Sequence, residues 1–158
     1  MLFALLLALA IPTSGPVPAP TPSAPAYLRV PTAPGEALIV NSGSTNRAGY
    51  RLRVHADGTA ALQRIERSMS SEQAVPIEKQ LSTTLVKRFF ADLQAAGPLD
   101  QLTAPHCMKS ASFGSVTQIG YLGKMSPDVS CGGPSAMHAL QIDADALAGA
   151  AGVSMLSR

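Results

Sequence analysis

Tryptophan is absent, aromatic residues make up only 4% of the chain and charged residues only 14%. A core without tryptophan must be assembled from Leu, Val, Ile and the few Phe and Tyr available. The net charge of +2 is too small to draw the molecule to nucleic acid or an anionic membrane, because those partners are read by concentrated Lys and Arg. No apolar run reaches the ~20 residues that a bilayer-spanning helix needs. Catalytic signatures are also missing. There is no Gly-x-Ser-x-Gly elbow, no Gly-x-x-x-x-Gly-Lys phosphate cradle, no His-Glu-x-x-His and no Gly-x-Gly-x-x-Gly. Carboxylates are sparse, and no close acidic pair stands out as an acid/base couple. No cofactor is called for.

What is present begins with an apolar amino terminus. Met1 to Ile11 is apolar throughout, a length that suits a signal-peptide core of ~7 to 15 residues rather than a membrane span. Cleavage fits Ala8-Leu9-Ala10 or a point near Ser14 and Gly15, and residues 1–15 are taken as the leader. No cysteine follows the run, so a lipoprotein anchor is not indicated. More than half of the chain's 13 prolines then fall between Pro12 and Pro34, a composition that favours extended polyproline II. Residues 16–34 read as a Pro/Ala-rich linker. With 158 residues in all, and folded domains of ~100 to 150 residues, residues 35–158 read as one domain.

Within that domain, Glu36 to Val40 is a short branched run bounded by Pro34-Gly35 and Asn41-Ser42-Gly43, the mark of a buried strand. Tyr50-Arg51-Leu52-Arg53-Val54 alternates strictly, placing Tyr50, Leu52 and Val54 on one face and Arg51 and Arg53 on the other. His55-Ala56-Asp57-Gly58 has the chemistry of a type I turn with glycine in the left-handed position. A three-residue hairpin there sets Leu62 opposite Leu52. A two-residue turn would instead oppose Arg64 to Arg51, and like charges directly across a sheet are unfavourable.

Ile77, Leu81, Leu85, Phe89 and Leu93 recur every four residues, which predicts a helix from Pro76 to Ala96 closed by Gly97-Pro98. A second hairpin is predicted from strands near Met108 to Phe113 and Val116 to Leu122, joined at Gly114-Ser115. A last helix from Ser135 to Ala148 turns Met137, Leu140, Ala144 and Leu147 inward. The fold class is therefore α+β: a small antiparallel sheet of two hairpins plus a leading strand, with two helices packed on one face.

Cys107 and Cys131 are the only cysteines, and in an exported chain an even count predicts a bridge between them. A Cys107 nucleophile activated by His106 or His138 is the competing arrangement, but a second cysteine in an oxidising compartment consumes the thiol. His55, His106 and His138 lack metal-ligand spacing and read as exposed or hydrogen-bonded side chains. Arg51 and Arg53, with Arg47, Arg64 and Arg67 near in sequence, form either a basic interaction face or a solvated sheet face.

The stretch His106 to Gly114, followed by Ser126 to Cys131, resembles a pattern in uncharacterised exported bacterial proteins. The segment Tyr50 to Leu62 is similar to the opening hairpin of small bacterial domains of unknown function. The resemblance implies export and a paired cysteine, and no activity. Two functions follow as expectations. One is a non-catalytic exported module, secreted or periplasmic, that binds a protein or cell-envelope component. The other is a small extracellular enzyme or enzyme inhibitor.

Overall fold

The computed structural model describes residues 29–65, 75–110 and 114–153. The predicted leader, the linker as far as residue 28, Arg67 and residues 111–113 lie outside the described residues. Strands β1 (Glu36–Asn41), β2 (Gly49–His55), β3 (Thr59–Ile65), β4 (Ile77–Gln80), β5 (Thr117–Tyr121) and β6 (Lys124–Met125) form one sheet. Its order is β4-β3-β2-β1-β5-β6, and every pairing is antiparallel. Helices α1 (Thr83–Ala96) and α2 (Ser135–Ala150) share one apolar core with Ala37, Ile39, Leu52, Val54, Leu62 and Ile119 of the sheet. The fold is α+β, with both helices on one face.

The alternation in β2 works as its pattern requires. Tyr50, Leu52 and Val54 are buried while Arg51 and Arg53 alternate with them, because successive strand side chains point to opposite faces. Leu52 pairs with Leu62, the register of the three-residue turn. Gly58 holds φ at 93°, where a side chain is strained. The Asp57 carboxylate closes the turn by accepting from the Thr59 amide at 2.8 Å and its hydroxyl at 2.7 Å. These hydrogen bonds hold the Asp57 carboxyl below its ordinary range.

Two predicted elements are corrected. The helix does not start at Pro76: Ile77–Gln80 is strand β4, and α1 begins at Thr83. The four-residue spacing of Ile77 and Leu81 with the later stripe is a coincidence of strand followed by helix. Pairing with β4 satisfies the open edge of β3 from Thr59 to Leu62, and the Leu81 amide donates to the Gly58 carbonyl at 2.9 Å. Backbone groups left unpaired away from water are costly, so a free edge outweighs a weak local helix propensity.

The second hairpin is likewise displaced. Met108 is in no strand and is 95% exposed, while β5 pairs with β1 on one side and β6 on the other. The hairpin turn is Leu122-Gly123, and the sheet has six strands rather than five. Beyond β6, Ser126 continues the ladder with a side chain, its hydroxyl accepting from the Ile119 amide at 2.9 Å. Asn41 binds the sheet centre across to β5. Its amide donates to the Thr117 hydroxyl at 2.8 Å while its carbonyl oxygen accepts from the Gly43 amide.

Helix α2 matches its pattern closely, with Met137, Leu140, Ala144 and Leu147 all buried. Residues ahead of β1 lie against the β5–β6 turn. The Gly123 amide donates to the Pro31 carbonyl at 2.7 Å, and the Tyr121 hydroxyl to the Pro34 carbonyl at 2.9 Å.

Candidate functional site

The arginines singled out in β2 occupy the helix-free face beside Leu38, Ala61, Gln63 and Pro76. Arg53 is committed within the domain. Its side chain is only 12% exposed and pairs with Glu36, and its guanidinium donates to the Arg29 carbonyl at 2.7 Å. Arg51 reaches toward the Gln63 side-chain oxygen at 3.5 Å. Arg64 departs from the stripe: it alternates onto the helix side of β3 and donates to the Gly152 carbonyl at 2.9 Å. The sheet therefore divides these charges between its two faces instead of gathering them.

Cys107 and Cys131 are joined in a disulfide, with Cα atoms 5.6 Å apart. The bridge removes the thiol that a Cys107 nucleophile would need. His106 and His138 are exposed and His55 closes β2. Among the described residues no three His, Cys, Asp or Glu side chains gather as a metal site.

Inside the disulfide loop, Lys109 pairs with Asp128 and donates to Ser130 and to the Ser115 carbonyl. Asp128 also accepts from the Thr117 amide and the Ser130 amide, each at 3.0 Å, and from the Ser130 hydroxyl at 2.6 Å. Partial burial pushes the Asp128 carboxyl up. The bonds from Lys109, Ser130 and Thr117 outweigh it and hold the group below its ordinary range. A serine beside a lysine invites comparison with a nucleophile and its base. A base must offer a free lone pair, whereas the Lys109 amine is turned to donate to Asp128, to the Ser130 hydroxyl and to the Ser115 carbonyl. The cluster is a structural tie.

The remaining feature is an apolar cleft of about 450 Å³ lined by Leu93, Gln94, Gly97, Pro98, Leu99, Tyr121, Leu122 and Lys124. One wall is the end of α1. Gly97 stops the helix at φ 72°, Pro98 cannot extend it, and Leu99 folds back into the core. The other wall is the β5–β6 hairpin. Tyr121 stacks edge-on against Phe90 at 6.0 Å between ring centroids, with its hydroxyl already satisfied at Pro34. At the rim, Lys124 and Asp100 form an exposed ion pair at 2.7 Å. The lysine's hydrogen bond holds the Asp100 carboxyl below its ordinary range.

Leu122 stands out on that rim. Among the described residues it alone, apart from glycines, has positive φ, at 50°, and it is 49% exposed. A left-handed conformation costs an L-residue about 1 to 2 kcal/mol, and the two-residue turn imposes it on Leu122 as well as on Gly123, at φ 74°. Such outliers concentrate at binding and catalytic positions. The cleft offers shape and apolar surface, with the Tyr121 ring in its wall and the Lys124 amine paired to Asp100 at its rim.

Sequence reasoning read Gly97-Pro98 only as a helix stop and Leu122 only as a strand end; nothing local indicates that they meet. It also passed over a pair of carboxylates that do meet, Asp92 of α1 and Asp143 of α2. The available signal was Asp143's place on the buried stripe between Leu140 and Ala144, since an acidic residue is rarely fully buried unless paired.

Comparison of the chain with models of known protein families finds no match, and comparison with curated proteins finds no significant one. The fold and the cleft are therefore the basis for a functional reading.

Proposed function

We propose that this chain is an exported, non-catalytic binding module that holds an apolar segment of a protein partner in the cleft between the end of α1 and the β5–β6 hairpin. The observation that carries the reading is Leu122, a large apolar side chain kept half-exposed on a strained backbone at the cleft's rim. Export is supported by the Cys107–Cys131 disulfide, since such bonds persist in oxidising compartments. Binding sites of this kind are concave and mostly apolar, and polar groups at the edge orient the ligand. Lys124, Asp100 and Gln94 fill that role here.

Selection of a displayed peptide library on the purified protein tests the reading. Peptides with apolar anchors are expected, and each should bind at least about tenfold more weakly to Leu122→Asp and to the cleft-blocking Gln94→Trp, about 1.4 kcal/mol. Peptides that bind both variants as well as the wild type, or a selection that returns none, would overturn it.

A further inference from the structure

Between α1 and α2 lies an arrangement that the binding reading does not use. Asp143 is 1% exposed, on the face of α2 that packs against α1. One carboxylate oxygen, Oδ1, accepts from the Arg88 guanidinium, with Nε at 2.7 Å and a second nitrogen on the same atom. The other oxygen, Oδ2, is buried without a partner. Asp92, one turn beyond Arg88 on α1, brings its own carboxyl within hydrogen-bonding reach of Asp143.

Two ionised carboxylates cannot stay in contact in such a seam. An orphaned buried acceptor costs about 1 to 3 kcal/mol, and a second negative charge alongside adds repulsion. Arg88 is 54% exposed, so its charge is partly spent on solvent and neutralises only one oxygen. A single proton on Oδ2, donated to Asp92, removes both penalties. It turns the orphan into a donor and leaves one negative charge for one guanidinium. The charged groups that face Asp143 are Arg88 and Asp92, both from α1. The turn Val129–Cys131 that also packs on α2 carries no charge, and the other titratable residues of α2 sit apart: His138 is exposed, and Asp145 acts on Tyr50.

We propose that Asp92 and Asp143 share one proton, and that this proton is a pH-sensitive latch which fastens α1 to α2 and loosens as pH rises above the ordinary carboxylate range. Burial, ahead of the Asp92 contact and against the pull of Arg88, places the Asp143 carboxyl above its ordinary range. The direction follows from linkage. A carboxyl raised on folding binds its proton more tightly in the native state, so its stabilisation is complete below the unfolded value and is lost as pH rises through the folded one.

The test reads the wild-type protein directly, by following the Asp143 side-chain carbonyl carbon in a ¹³C-labelled sample across pH 3 to 9. Titration above the ordinary carboxylate range, about 4, is expected. Titration at or below it overturns the latch. Melting temperatures provide the second arm. Asp143→Asn supplies a permanent donor to Asp92, and Asp92→Asn supplies one to Asp143. Each should match the wild type near pH 4 and exceed its melting temperature by several degrees at pH 8. A variant that melts below the wild type at pH 8 with an unchanged pH slope counts against the proposal. Should either variant fail to fold, the carbon titration decides alone.

Discussion

Lys109 and Asp128 close an ion pair inside the loop that the Cys107–Cys131 bridge already closes, so one irregular segment is tied twice, once covalently and once by charge. Asp128 is the more consequential partner, since it also caps the turn Val129–Cys131 and accepts from the first amide of β5. Asp128→Ala is expected to destabilise the domain by about 2 kcal/mol, the loss of a cap together with orphaned donors. Chemical denaturation at pH 7 measures this.

The same residue makes a pH prediction of opposite sign to the helix latch. A carboxyl held below its ordinary range contributes stability that is complete above the unfolded value and is lost as pH falls through the folded one. The stability gap between wild type and Asp128→Asn should therefore shrink as pH is lowered from about 5 toward 2. A gap constant over that window would show that the carboxylate charge is irrelevant to the tie.

The disulfide itself closes a loop with a sequence separation of 24, for which restriction of the unfolded chain predicts about 3 kcal/mol. Thiol titration of the unfolded, unreduced protein should find no free sulfhydryl. Reduction should lower the melting temperature.

Leu122 leads to a prediction that separates stability from binding. Asn tolerates the left-handed region better than Leu, so Leu122→Asn should stabilise the hairpin by about 1 kcal/mol while weakening capture of apolar peptides. Thermal melts and peptide titration on the same variant check both halves. A variant that loses stability would show that Leu122 is there for packing rather than recognition.

Tyr50 faces the core with its hydroxyl buried and unpartnered. Burial first, and the nearby Asp145 second, push its phenol up to about 12 from 10.0. A phenol raised on folding contributes stability that is complete below the unfolded value and is lost as pH rises toward the folded one. Tyr50→Phe should leave the domain as stable at pH 7, or up to about 1 kcal/mol more so. It should also flatten the fall in stability above pH 10, as alkaline denaturation followed by circular dichroism can show.

What the amino-acid order determined by itself is whatever depends on neighbours in the chain. Strict alternation set the faces of β2, the chemistry of Asp57 and Gly58 set the register of Leu52 on Leu62, and helical spacing set the buried side of α2. The cysteine pairing also followed, because only two candidates existed. Tertiary structure alone decided the rest. Whether Ile77–Gln80 became strand or helix depended on an open edge of β3, and whether Arg64 joined the arginine stripe depended on which face its position reached. The cleft exists because the stop at Gly97-Pro98 and the turn at Leu122-Gly123 meet in space, and the proton-sharing carboxyls exist because α1 packs on α2. Periodicity specifies which side of an element is apolar. Which element covers it, and which polar groups are trapped in the seam, is settled only when the backbone hydrogen bonds of a free edge and the buried surfaces of distant segments are satisfied together.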